Sequence, residues 1–178
     1  MTTEIVKKFF IYLVMLGGCL HSTEITKEVP YVLYAKEIMN PFIAECEKKY
    51  QLECIGTGGR FAYNVAGINI TFVAYRKGSI EESRKLEVSM TEKLLSEINS
   101  SEKIRPFLIE HPFKSTNIDI SLSFQKADDS NYTDGSVVHA FHAKDKLFYS
   151  CEDPKTGKLV RILEEPYEEA KKIVNSNK

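Results

Sequence analysis

Tryptophan is absent from this sequence, histidine and cysteine occur four times each, and neither sign of charge is in excess. The balance of 24 Lys and Arg against 25 Asp and Glu argues against the basic stripe that neutralises phosphates, so nucleic-acid binding is not expected. The cysteines form no CxxC pair and no Cys/His spacing of zinc-site type, so neither a metal nor another cofactor is expected. Motifs of the HExxH and GxSxG kinds are missing. No apolar run reaches the ~20 residues that a spanning helix needs. Beyond residue 18, glycine clusters only at Gly56-Thr57-Gly58-Gly59. Arg60 follows, with no lysine opening a helix, so that run reads as a tight turn or bulge, not a phosphate cradle.

What is present begins near the N-terminus. Lys7 and Lys8 precede an apolar run from Phe9 to Leu16, and Gly17 and Gly18 follow it. A positive start, a short apolar stretch and small residues form a secretory signal. The four residues Leu16-Gly17-Gly18-Cys19 resemble the lipobox of bacterial lipoproteins. That resemblance covers about the first tenth of the chain. It implies that residues 1–18 are a signal peptide and that Cys19 is lipidated. Residues 19–29 would then be a polar tether, and residues 30–178 a single domain. Each buried methylene stabilises membrane residence by ~0.8 kcal/mol, so two or three acyl chains would make a durable anchor. Leu20 follows the cysteine where an aspartate would favour retention in the inner membrane, so the resemblance favours the outer one.

With Cys19 assigned to lipid, Cys46, Cys54 and Cys151 remain. At most one disulfide can form among them, with Cys46–Cys54 and Cys54–Cys151 the pairs to examine. The alternative is three buried thiols packed as small apolar groups.

From Pro30 the spacing of Ala35, Ile38/Met39, Phe42 and Cys46 predicts a helix. Pro41 either kinks it or starts a second helix capped by Asn40. Residues 61–65 are compatible with an extended segment. Ile68, Ile70, Phe72 and Ala74 then alternate with Asn69, Thr71, Val73 and Tyr75 as a strand does. Ser79 and Glu82 suit a capping box for a long helix near residues 80–99. Leu86, Met90, Leu94 and Ile98 are its buried stripe, with Glu81, Arg84, Lys85, Glu92 and Lys93 on a solvated face. Further strands are predicted at 118–125, 136–143, 147–152 and 158–163. Pro166 suits the first turn of a last helix burying Tyr167, Ala170, Ile173 and Val174. The expected fold is α+β: an antiparallel sheet of four to five strands, packed on one side by two or three helices.

Little in this pattern carries chemistry. His139 and His142 are three apart on a strand and so face opposite sides. The loop from Asp128 to Gly135 has calcium-friendly oxygens, but its glycine comes one residue late and Ala140 stands where a bidentate glutamate belongs. The most suggestive stretch is Ile104, Phe107, Leu108, Ile109 and Phe113, held extended by Pro106 and Pro112. It covers one end of the core or, if exposed, marks a partner or membrane surface. These readings point to a lipid-anchored envelope protein with a non-enzymatic binding or assembly role, attached to the membrane by its lipid and meeting another envelope protein. The rival is an enzyme or small-molecule binder whose site gathers Arg60, Arg105, His111 and His139 from distant positions.

Overall fold

The structure is a computed structural model that describes residues 29–176. The proposed lipobox and Cys19 lie outside the described residues. Helix α1 (Pro30–Tyr50) starts with proline at its first position, where the missing N–H would have had no helical partner. It buries Ala35, Met39, Phe42 and Cys46, the predicted face. Pro41 neither ends it nor starts a new helix. The proline ring is exposed, so the Glu37 carbonyl that loses its helical donor sits on the side open to water.

Strands β1 (Glu53–Arg60) and β2 (Gly67–Ala74) follow, then helix α2 (Ile80–Ser100). Strands β3 (Ile118–Phe124), β4 (His139–Ala143), β5 (Lys146–Glu152) and β6 (Leu159–Pro166) come next, and helix α3 (Tyr167–Ser176) ends the described chain. The six strands lie side by side in chain order in one sheet. All neighbours are antiparallel except β2 and β3, which run parallel with Ile70 opposite Ile120. The purely antiparallel sheet of four to five strands is therefore corrected to a mixed sheet of six, within the expected α+β class. Helix α2 is the reason, because parallel neighbours need a crossover long enough to return the chain to the same end.

The extra strand is β1, the segment read as a turn around its glycines. Its register slips between Cys54 and Gly56, so a bulge is present at Ile55 within a strand. Gly59 is there because a Cβ would lie 2.5 Å from the Gly67 carbonyl oxygen and closer still to the Phe61 ring. Residues 61–66 form the connection to β2, and in it only Val65 makes a bridge, to Leu108.

The core lies between the sheet and the helices. Ile68, Ile70, Phe72 and Ala74 of β2 and Ile118, Ile120, Leu122 and Phe124 of β3 are at most 1% exposed. They meet Leu86, Met90, Leu94 and Ile98 of α2, the expected stripe. The Ser79 hydroxyl accepts from the Glu82 amide at 3.1 Å. The Glu82 carboxylate turns instead to Arg76, 2.8 Å away, so only half of the capping box forms. Pro166 ends β6 instead of opening α3, and Ile173 is exposed while Tyr167, Ala170 and Val174 are buried. The strand predicted at 136–143 begins only at His139, as β4, because Val137 bridges to Gly78.

Candidate functional site

Three places hold the chemistry of the described domain. The first is the end of the sheet where α1 begins. The Tyr31 hydroxyl donates to the backbone carbonyls of Phe61 and Ala62 at 3.1 and 3.2 Å. The Tyr31 and Tyr34 rings lie 5.8 and 5.9 Å from Phe107. The Val65 amide donates to the Phe107 carbonyl at 2.8 Å, and the Ile109 amide to the Val65 carbonyl at 3.1 Å. The predicted strip therefore divides. Ile104 and Phe113 are core residues, 0% and 2% exposed. Phe107 and Leu108 are half-buried against the core, and Ile109 is exposed. Val29, Leu33 and Tyr63 are exposed as well, Tyr63 at 93%. The strip is thus pinned at its ends and open in its middle.

The second place is the sheet face turned away from the helices. Asp119, Ser121 and Ser123 point to it from β3, each half-buried. His139, Phe141 and Phe148 continue it, with the two phenylalanine rings stacked at 4.7 Å and His139 5.3 Å from Phe141. The Arg161 guanidinium sits 4.5 Å over the Phe148 ring and pairs with Glu164 at 2.8 Å. Partial burial holds the His139 pKa below its ordinary value, so this imidazole is neutral near pH 7.

The third place was not legible in the sequence. Arg84 on α2 reaches Glu165 on β6, and Tyr149 donates to the same carboxylate at 2.5 Å. Beside them Glu87 is fully buried with no partner on either oxygen. Burial raises its pKa well above the usual carboxylate range, so the acid form is held. His142 is 0% exposed and stacked 4.6 Å from the Tyr167 ring. Burial lowers its pKa to about 4 against the opposing pull of Asp119, Asp145 and the Ile118 backbone. The signal for this cluster was Ser83, Glu87 and Thr91, a polar stripe of spacing four beside the apolar one. Arg84, expected on the solvated face, is instead mostly buried, its side chain 15% exposed. These groups are closed off within the core.

Of the residues of the rival reading, Arg60 and His139 stay apart. Arg60 bonds Asp119 at 3.0 Å at one end of the sheet. His139 pairs with Ser123, four residues farther along β3, or ~13 Å at strand rise. His111 lies 3.4 Å from the Asn99 carbonyl, at the end of α2, and Arg105 is on the short helical turn Arg105–Phe107. The two outer-face and core histidines do take opposite sides of β4, as expected from their spacing.

Cys46, Cys54 and Cys151 are free thiols. Burial pushes the Cys46 thiol up to about 12, leaving it unreactive. Cys54 and Cys151 lie on β1 and β5, four strands apart in the sheet. At ~4.8 Å per strand they are far beyond the ~7 Å that a disulfide tolerates, so that pairing is excluded.

No helix among the described residues is long and apolar enough to cross a membrane. Compared with known protein families, with curated proteins and with solved structures, the chain matches none.

Proposed function

We propose that this chain is a lipid-anchored cell-envelope protein, held by acyl chains on Cys19 and favoured in the outer membrane, whose domain binds another envelope protein without catalysing a reaction. The location rests on the signal-like run and on Leu16-Gly17-Gly18-Cys19. The observation that carries the binding role is the uncovered sheet face, with its stacked Phe141 and Phe148 rings and the Arg161 cation over Phe148. Stacked rings bearing a charged rim are the groups that anchor protein partners. What favours binding over catalysis is positive geometry. The ionisable groups that burial perturbs on this side of the sheet, Glu87, His142, Tyr149 and Tyr167, are enclosed in the core, and the exposed Arg60 is tied to Asp119.

Two measurements test the two halves. Cells given a clickable fatty acid should label the wild type and not Cys19→Ala, which should also leave the membrane fraction. Equal labelling, or equal retention in the membrane, sinks the anchor. A photo-crosslinking residue placed at Ser123 should join one defined envelope protein in intact cells, while the same residue at Lys155 should not. If both positions give the same products, the open face is not a specific interface.

A further inference from the structure

We propose that the end of the domain that receives the tether rests on the bilayer surface, with Tyr63, Ile109, Leu33 and Val29 entering the headgroup region. This rests on the lipid-anchor reading above. The sequence spaces Cys19 only ten positions before Val29. At ~3.3–3.6 Å per residue, that stretch reaches at most ~36 Å from the lipid. Its far end is fixed, because α1 begins at Pro30 and Tyr31 is bonded to the Phe61–Ala62 backbone. The tether therefore enters the domain beside the apolar patch, through Val29 and the first turn of α1. Tethering at this length raises the patch's effective concentration at the surface to the order of millimolar, so a contact too weak to recruit the protein alone is populated once it is anchored.

The chemistry of the patch suits a lipid surface. Tyr63 is 93% exposed, Ile109 53%, Val29 45% and Leu33 44%. They flank Tyr31, Tyr34, Phe61 and Phe107, all packed against the core. Tyrosine rings place an apolar body in the acyl boundary and a hydroxyl in water, which is why they collect at membrane interfaces. Nearby cations are largely matched: Arg60 pairs with Asp119, Lys103 with Glu37 and Lys114 with Glu110. The contact is thus apolar insertion and not attraction to acidic headgroups, and salt should weaken it little. Seated this way, the loops 125–138 and 153–158 stand at the opposite end of the sheet, away from the bilayer, and the open face stays accessible from the side.

The absence of tryptophan gives a direct test. Tyr63→Trp in the full lipidated chain places a single indole at the patch, and Lys155→Trp places one at the far end. Both proteins are reconstituted into phosphatidylethanolamine–phosphatidylglycerol vesicles containing lipids brominated high on the acyl chain. The Tyr63→Trp emission should move to shorter wavelength and be quenched several-fold more than that of Lys155→Trp. With Leu33→Trp as reporter, Tyr63→Asp plus Ile109→Asp should abolish the quenching while fatty-acid labelling persists. Equal weak quenching of both indoles in a labelled protein overturns the seating and leaves the anchor standing. Shielding of the Tyr63→Trp indole in whole envelopes but not in pure lipid overturns it in favour of a protein occupant. Loss of the fatty-acid label removes the anchor reading instead, and this inference with it.

Discussion

Arg84 on α2 grips Glu165 on β6 through two hydrogen bonds, Nε to Oε1 at 2.7 Å and Nη2 to Oε2 at 3.1 Å. The side chains are only 15% and 10% exposed, so a bidentate ion pair ties the long helix to the last strand almost out of contact with water. Tyr149 donates to the same carboxylate, and the three residues come from three elements.

Removing one member leaves the other charge buried without its partner. Arg84→Met should lower unfolding free energy by about 3–5 kcal/mol, read from urea denaturation. Tyr149→Phe removes a single donor and should cost about 1–3 kcal/mol. If Arg84→Met costs no more than an exposed pair, the bridge is not formed in solution.

Glu87 should behave in the opposite way. Its carboxyl is buried without partners, so Glu87→Met should stabilise the domain, by about 1–3 kcal/mol near neutral pH. The folded pKa lies above the unfolded one. Between them the folded state binds more protons, so the wild type loses stability as pH rises above ~4.5. The gain from Glu87→Met should therefore grow over that range. A gain that is constant with pH would show that Glu87 is ionised or solvated when folded.

His142 sets the acid side. Its folded pKa is about 4, below the ordinary ~6.5. Its contribution is present above pH 6.5 and is lost as pH falls towards 4, up to about 3 kcal/mol in all. His142→Phe keeps a ring against Tyr167 and should flatten that decline in denaturation measured from pH 7 to 4. An unchanged profile would place the acid sensitivity elsewhere.

Ser79→Ala should cost about 1 kcal/mol through loss of the α2 cap. Glu82→Ala should leave the cap intact, because its carboxylate bonds Arg76 instead. Equal cooperative losses in the two variants would mean that the reciprocal capping box forms after all.

Much of the architecture follows from local periodicity. The stripe of Leu86, Met90, Leu94 and Ile98 and the alternation of Ile118, Ile120, Leu122 and Phe124 each specify an element and its buried face, because side-chain direction repeats with backbone geometry. The same rule put His139 and His142 on opposite faces. The lipobox-like residues are likewise a feature of sequence alone. Tertiary structure decided what depends on partners far along the chain. The parallel pairing of β2 with β3 is one case, since strand direction depends on where the α2 crossover returns the chain. The glycine-rich β1 is another: its three glycines are poor strand formers, and its pairing with β2 holds it extended. Arg84 looks like any helix-surface cation until Glu165, 81 positions later, is brought beside it. Ile104, Phe107, Leu108, Ile109 and Phe113 are equally apolar as residue types, yet only packing buries the first and last and leaves Ile109 in the open. Burial is a property of the assembled neighbours, and that is what a run of residue types does not contain.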